Sequence, residues 1–214
     1  MTIRATLWDW GGVIQRTEDP APRLELEAEL GLRPGALERA VFGSRVWELA
    51  STGRCGADEA WAAIAAGLGL APEAIDRFVE RFFSGDRIDS SLVTLIRRLR
   101  AAGIRAGLLS NAPPGRSSGV RAAARWGMND LFDAQVFSYQ VGALKPDPRM
   151  YRAALQALGV APGEAVFIDD TPANVAGARG LGMDAILFEG APALMDALRG
   201  RGLPVLGAGA GSPD

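Results

Sequence analysis

Three aspartates stand where hydrophobic runs typical of buried strands come to an end. Asp9 ends the hydrophobic run of LWDWGGVI, residues 7–14, and Asp169 and Asp170 end that of EAVFIDD. An aspartate carboxylate can attack phosphorus and form an aspartyl-phosphate. Mg²⁺ prefers oxygen ligands, usually one or two carboxylates together with waters and phosphate oxygens. These residue types predict phosphoryl transfer with Asp9 as the nucleophile, and with Asp9 and Asp170 as magnesium ligands.

The other polar residues at predicted strand ends suit the binding of a phosphate group. Ser110 and Asn111 follow the run IRAGLL and offer a hydroxyl and a backbone N–H as hydrogen-bond donors. Lys145 follows AQVFSY and is the only lysine among 23 basic residues, which indicates either a need for a compact ammonium group or drift in an arginine-rich composition. Gly11 and Gly12 let the backbone approach a phosphate closely and leave a carbonyl that can bind a metal.

Each of these motifs has an ordinary structural explanation when it is taken alone. An aspartate before two glycines is typical of a turn, and adjacent aspartates are typical of a helix N-terminus, where acids offset the helix dipole. A lone lysine is usually a surface cation. Neighbouring parallel strands lie only ~5 Å apart. Because all the motifs stand at the ends of predicted strands, we expect their side chains to converge on one site.

The elements that position these residues alternate between strand and helix. Residues 2–8 predict a strand, and residues 22–85 predict a block of helices. From Ser90 onward strands and helices alternate, including a predicted helix over residues 119–127. This alternation predicts an α/β fold with a doubly wound, Rossmann-like parallel sheet, in which ligands bind at the carboxyl ends of the strands. The helical block is too long for a loop and predicts an inserted α-helical domain.

Four motifs taken together resemble the haloacid dehalogenase-like hydrolase superfamily. LWDWGGVI, LLSN, GALKPDPRMY and VFIDDTPANVAGARGLG occur in the order and at spacings similar to those of that family, and the last two most resemble the branch that includes the N-terminal phosphatase domain of soluble epoxide hydrolases. The resemblance implies that the insert is the family's small helical cap. The expected organisation is a core formed by residues 1–15 and 88–200, a cap at 16–87, and a loosely ordered tail at 201–214.

For the reaction, the resemblance implies a role for residues of the first three motifs. Asp9 is the implied nucleophile, and Lys145 positions it and balances charge. Ser110 and Asn111 are implied to bind the transferring phosphoryl group, which Gly12 allows to approach the backbone.

For the metal, the resemblance implies a magnesium site built from the same loops. Asp9, Asp170 and the carbonyl of Gly11 are implied direct ligands. Asp169 is implied to be an inner-shell or water-mediated partner of the ion.

One position departs from the family pattern. Phosphatases of the family usually carry a second aspartate two residues after the nucleophile as the general acid and base, and this chain has Gly11 there. General acid–base catalysis typically contributes ~10²–10⁴-fold. We therefore expect weak esterase activity, a preference for good leaving groups, or an acid recruited from elsewhere. Glu18 and Asp19 are candidates by position, and solvated linker residues otherwise.

The residues thus favour a Mg²⁺-dependent phosphatase that acts on a small phosphorylated metabolite. A first alternative is a metal-independent haloacid dehalogenase, which uses the same nucleophile on carbon. The dehalogenases of the superfamily have a serine and asparagine arrangement where this chain has the acidic pair Asp169–Asp170, and without a cation two adjacent carboxylates repel each other. A second alternative is a non-catalytic module that binds phosphate and metal.

Composition limits the other classes of function. The chain has 214 residues, no histidine and one cysteine, which excludes histidine-based catalysis and internal disulfides. Its net charge of −2 gives no indication of a nucleic-acid partner. A membrane span is not predicted either, because no apolar run reaches the ~18 residues that a span needs. We expect a cytoplasmic protein, and the sequence does not indicate an oligomeric state.

Overall fold

The computed structural model describes residues 2–115 and 130–205, so the predicted helix over residues 119–127 lies outside it. Its strands are β1 (Ala5–Trp8), β2 (Gln15–Thr17), β3 (Asp86–Ile88), β4 (Arg105–Ser110), β5 (Ala134–Phe137), β6 (Ala165–Asp169) and β7 (Asp184–Leu187). Five strands form a parallel sheet in the order β5–β4–β1–β6–β7. The predicted parallel sheet is therefore confirmed.

The helices occur in two groups along the chain. The insert between β2 and β3 contains α1 (Ala21–Glu29), α2 (Ala36–Phe42), α3 (Arg45–Ser51), α4 (Ala57–Gly67) and α5 (Ile75–Phe82). The helices that follow β3 are α6 (Ser90–Ala101), α7 (Ser138–Val141), α8 (Pro148–Leu158), α9 (Pro172–Gly180) and α10 (Ala191–Arg199). None of the helices within residues 2–115 and 130–205 combines the length and apolar character needed to cross a membrane.

Hydrophobic side chains cover both faces of the sheet because successive residues of each strand point to opposite sides. On one face, Trp8 of β1 lies in a buried cluster with Leu92 and Ile96 of α6 and with residues of α10. On the other face, Leu7 lies in a second cluster with Met150 of α8 and with residues of α9. This two-sided core confirms the doubly wound α/β class.

The helical insert has a hydrophobic core of its own. Buried residues from α1 to α5 form a third cluster that includes Trp47, Trp61 and Phe82. Strands β2 and β3, which the sequence did not predict, pair antiparallel where the chain enters and leaves the insert. The proposed boundaries of a cap at residues 16 and 87 fall inside this pair, and the division into core and cap at these residues remains a proposal.

The expectation of a loosely ordered tail from residue 201 is wrong at its beginning. Leu203 and Val205 are buried in the same cluster as α6, and Arg98 of α6 donates a hydrogen bond from Nη1 to the Val205 carbonyl at 2.6 Å. Apolar burial therefore holds the chain on the core as far as residue 205. The rest of that tail lies outside the described residues.

Asp89 joins strand β2 to α6, and its loss is expected to destabilise the fold. Its Oδ1 accepts hydrogen bonds from the backbone N–H groups of Ser91 and Leu92, and its Oδ2 pairs with Arg16 at 2.7 Å. We expect Asp89→Ala to lower the free energy of unfolding by about 1–2 kcal/mol, most of it from the lost N-cap. Chemical denaturation measures this change, and equal stability of the two proteins would contradict it.

The matched variant Asp89→Asn keeps an N-cap acceptor and removes only the charge. Burial alone would raise the pKa of Asp89, but hydrogen bonds from Ser91, Arg16 and Leu92 outweigh it and hold the pKa below its ordinary value. A depressed pKa stabilises the fold above the pKa of the unfolded chain, and this stabilisation is lost as pH falls through the folded pKa. We therefore expect the wild-type advantage over Asp89→Asn to disappear in acid.

Candidate active site

Lys145 joins two of the aspartates at the carboxyl edge of the sheet. Its Nζ lies 2.7 Å from Asp9 Oδ1 and 2.7 Å from Asp169 Oδ2, and it also donates to the carbonyl of Leu109 at 3.0 Å. Asp9 follows β1, Asp169 ends β6, and these strands are neighbours in the sheet. The predicted convergence of these three residues is thus present in the structure.

Asp169 is completely buried, and hydrogen bonds surround its carboxylate. Oδ1 accepts from the backbone N–H of Thr171 at 2.8 Å and from Nδ2 of Asn174 at 3.0 Å, while Oδ2 accepts from Lys145. Asn174 belongs to the DDTPAN motif, but its residue type and position alone did not assign it to the site. The contacts of Asp169 are those of a residue that fixes the position of Lys145.

Ser110 is the last residue of β4, Asn111 follows it, and both line the cavity beside Asp9. The Asn111 side chain is bonded to the backbone of Lys145 in both directions, since Oδ1 accepts from the Lys145 N–H at 2.8 Å and Nδ2 donates to its carbonyl at 3.2 Å. The side chain of Asn111 therefore holds the lysine loop. The backbone N–H of Asn111 remains available to donate a hydrogen bond to a phosphate oxygen.

Asp170, unlike Asp169, lines the cavity together with Asp9, Gly11 and Gly12. Gly12 has φ +82°, and a Cβ added there would lie 2.0 Å from Asp170 Oδ2. A side chain at position 12 would therefore displace this carboxylate, which explains the glycine. Gly11 differs, because a Cβ added there meets no atom within 4 Å.

The acidic residues at this edge form a donor set that fits a hard cation. Carboxylate oxygens of Asp9, Asp169 and Asp170 lie within 4.8 Å of one another. Among the described residues, this is the group of acidic side chains that lie close enough together to bind one metal ion. Three carboxylates share the single ammonium of Lys145 in this cluster, so a further positive charge is favoured. Oxygen donors alone are the ligand type that Mg²⁺ prefers.

Electrostatics at the site follow from burial and from the shared charges. Burial raises the pKa of Asp9 to about 7, since the charge of Lys145 does not outweigh burial and the neighbouring Asp169. Partial burial, followed by the charge of Asp169, raises the pKa of Asp170. Burial alone would lower the pKa of Lys145, but Asp9 and Asp169 outweigh it and raise the pKa, so the ammonium stays charged.

The site opens into a cavity of about 590 Å³ that the insert helps to line. The insert contributes Arg23, Phe42, Trp47 and Phe83 to the lining. The core contributes residues that include Asp9, Gly11, Gly12, Ser110, Asn111, Lys145 and Asp170. The sequence did not single out Phe42, Phe83 or Arg23, because side chains brought together by the packing of separate helices leave no local motif.

The two candidates for a replacement acid are not brought to the cavity. Glu18 and Asp19 are exposed, and neither belongs to the described residues that line it. Oδ1 of Asp19 accepts a hydrogen bond from the backbone N–H of Ala21 at 3.0 Å, at the start of α1. This contact is that of an ordinary linker residue.

Removal of the ammonium at position 145 is expected to destabilise the protein. Lys145→Met would leave Asp9 and Asp169 buried without their shared cation, and breaking such a buried pair should lower the free energy of unfolding by about 3 kcal/mol. Chemical denaturation in the presence of a chelator measures the change.

Two further variants test the electrostatic origin of this loss. The control Arg149→Met removes an exposed partner of Asp147 and should change stability little. The double variant Lys145→Met/Asp9→Asn should regain part of the loss, because one buried charge is removed with the lysine. A single-variant loss no larger than that of Arg149→Met would contradict the expectation.

Comparison with known proteins identifies sequence relatives of this chain. A sesquiterpene phosphatase of Aspergillus oryzae is 26% identical over 183 residues, which cover 85% of this chain and 88% of that protein. The bifunctional epoxide hydrolase 2 of Rattus norvegicus is 45% identical over 60 residues, which cover 28% of this chain and 11% of that protein. The resemblance to the epoxide hydrolase branch is thereby confirmed over this short stretch.

A solved structure shares the fold. A predicted haloacid dehalogenase-like family hydrolase of Porphyromonas gingivalis superposes with a TM-score of 0.69 at 24% identity, covering 93% of this chain and 99% of that one. The sequence model of the family described as haloacid dehalogenase-like hydrolase matches residues 3–182. The chain therefore belongs to the haloacid dehalogenase-like hydrolase family and is an enzyme of that family.

Proposed function

We propose that this hydrolase is a Mg²⁺-dependent phosphatase that cleaves small phosphate esters through an aspartyl-phosphate on Asp9. The observation that carries the proposal is the contact of Asp9 Oδ1 with Lys145 Nζ at 2.7 Å, beside Asp170 in one cavity. The similarity to a phosphatase over most of both chains supports the same reaction type.

Asp9 is held in an orientation that suits attack on phosphorus. Its Oδ1 accepts hydrogen bonds from Lys145 and from the backbone N–H of Trp10 at 2.7 Å. Both of these contacts are to Oδ1, which leaves Oδ2 as the attacking atom. A nucleophile fixed through its other oxygen loses little conformational freedom in the transition state.

The reaction proceeds in two displacements at phosphorus. Asp9 Oδ2 attacks, the bond between phosphorus and the ester oxygen breaks, and the alcohol leaves with a proton taken from water. Water then attacks the phosphorus, the bond to Asp9 breaks, and inorganic phosphate departs. Donors on the Ser110 side chain and the Asn111 backbone stabilise the charge on the phosphoryl oxygens in both steps.

The carboxylates of Asp9 and Asp170 and the carbonyl of Gly11 would hold Mg²⁺ at this edge. Bound there, the ion supplies charge neutralisation to the anionic phosphoryl group. Asp169 has both oxygens hydrogen-bonded and positions Lys145, so the role that we propose for it at the metal is that of a water-mediated partner.

The test is phosphate release from a panel of small phosphate esters, with Mg²⁺ and with EDTA. We expect release that requires Mg²⁺, is lost in EDTA and returns when Mg²⁺ is restored, together with a phosphoenzyme that hydroxylamine cleaves. Halide release from haloacids that is insensitive to EDTA would favour the dehalogenase instead. Binding of phosphate without release from any ester would favour the non-catalytic module.

A further inference from the structure

The part of the cavity that the insert contributes is aromatic. Phe42, Trp47 and Phe83 line it, and the Phe42 ring stands edge-on to Trp47 with the ring centroids 5.5 Å apart. Phe42 is 46% exposed, and only Leu24 matches it among the large hydrophobic side chains of the described residues. An exposed aromatic ring at the wall of a cavity gains free energy when an apolar group covers it.

The arginines that line the cavity have their charges already paired. The Arg23 guanidinium donates to Asp86 Oδ1 at 2.8 Å and to the Phe82 carbonyl at 2.9 Å, and it also pairs with Glu38. Its Cζ lies 4.4 Å from the centre of the Phe82 ring. Each of the three guanidinium nitrogens of Arg23 thus donates to an acceptor of the protein, so Arg23 is a structural cation.

Among the residues that the structure describes, the cavity lining has two further charged residues outside the cluster around Asp9, Lys145 and Asp170. These are Arg16 and Asp86, and both are paired with other groups of the protein. Arg16 donates to Asp89 Oδ2 at 2.7 Å and to the carbonyl of Val13 at 2.8 Å. Asp86 accepts from Gln15 and from Thr17, both at 2.8 Å, in addition to Arg23. Within the described part of the chain, the cavity thus offers no unpaired cation to a second anionic group of a substrate.

We propose that the substrate is a phosphate monoester of an uncharged, apolar alcohol, whose aryl or alkyl group lies against Phe42, Trp47 and Phe83. This inference rests on the proposed phosphatase activity and specifies its substrate class. A cavity of about 590 Å³ falls in the range of sites that hold a whole small organic ligand. A carboxylate on the alcohol would lose its water at an aromatic wall and gain no partner there, which disfavours acidic esters.

The test uses para-alkylphenyl phosphates whose side chain grows from hydrogen to butyl, because the acidity of the phenol leaving group stays nearly constant along the series. We expect kcat/KM to rise about fourfold for each methylene that the cavity covers. The para-carboxyethyl ester, which has the length of the butyl ester, should react at least about tenfold more slowly than it. Binding of the matching arylphosphonates, followed by calorimetry, should show the same increments without turnover.

Two variants with equally exposed wild-type side chains localise the effect. Phe42→Ala should flatten the dependence of kcat/KM on chain length. Leu24→Ala, which removes a side chain that is also 46% exposed but lies outside the lining, should keep that dependence. Thermal unfolding of both variants separates this effect from a loss of folding.

The outcomes separate this inference from the proposed function. If phenyl phosphate is not hydrolysed in a way that depends on Asp9, the phosphatase proposal fails. If phenyl phosphate is hydrolysed but the alkyl series is flat or the carboxyethyl ester is preferred, the phosphatase proposal stands and the apolar substrate class is wrong. A chain-length dependence that persists unchanged in Phe42→Ala would also overturn the assignment to this wall.

Discussion

Asp9→Asn is expected to lower phosphate release from every ester by a factor on the order of 10⁴ or more. An amide oxygen at position 9 would be a far weaker nucleophile than the carboxylate. The loss applies to any leaving group, because every ester must transfer its phosphoryl group to this residue. Steady-state phosphate release at saturating Mg²⁺ measures the effect, and no phosphoenzyme should be trapped from the variant. Residual release within about a hundredfold of wild type would identify another nucleophile.

A loss of folding would not explain the expected loss of activity. Asp9, Asp169 and Asp170 lie close together, Asp9 and Asp169 share the single ammonium of Lys145, and Asp9 is buried. Removing one of these negative charges relieves repulsion, so the metal-free variant should unfold at or above the temperature of the wild type. Sites held in a strained electrostatic state commonly show this opposition between activity and stability. A marked decrease in the unfolding temperature would show instead that Asp9 has a structural role.

The positions of the catalytic candidates were predictable from the sequence because they depend on local order along the chain. Hydrophobic runs define the strands, and in a parallel sheet the residues after each run meet at one edge. Asp9 and Asp169 lie on neighbouring strands, and Ser110 ends the strand on the other side of β1. The contact of Lys145 with both aspartates follows from this topology.

The features that were not predicted depend on contacts between distant parts of the chain. Strands β2 and β3 are three residues each, too short for a pattern, and they pair across an insert of five helices. Leu203 and Val205 stand among glycines and prolines, and their burial depends on packing in the cluster that includes residues of α6. The aromatic wall at Phe42 and Phe83 requires the packing of separate helices.

Gly11→Asp is expected to increase activity on esters with poor leaving groups by about 10²-fold, within the ~10²–10⁴ range of general acid catalysis. Resemblance to the family implies an aspartate two residues after the nucleophile, and the structure has room for one. A Cβ at Gly11 meets no atom within 4 Å, Gly11 lines the cavity, and its φ lies outside the left-handed region. The new carboxyl can protonate the departing alkoxide, which otherwise takes its proton from water.

The dependence on leaving group distinguishes acid catalysis from a general improvement of the site. An alkyl phosphate should gain the full increase, whereas p-nitrophenyl phosphate, whose leaving group needs no proton, should change little. Gly11→Asn is the matched control without an ionisable group and should give no gain. Gly12→Ala should lose activity on both esters, because its Cβ would overlap Asp170 Oδ2. An equal gain on both esters, or a gain in Gly11→Asn, would mean that the missing acid does not limit this enzyme.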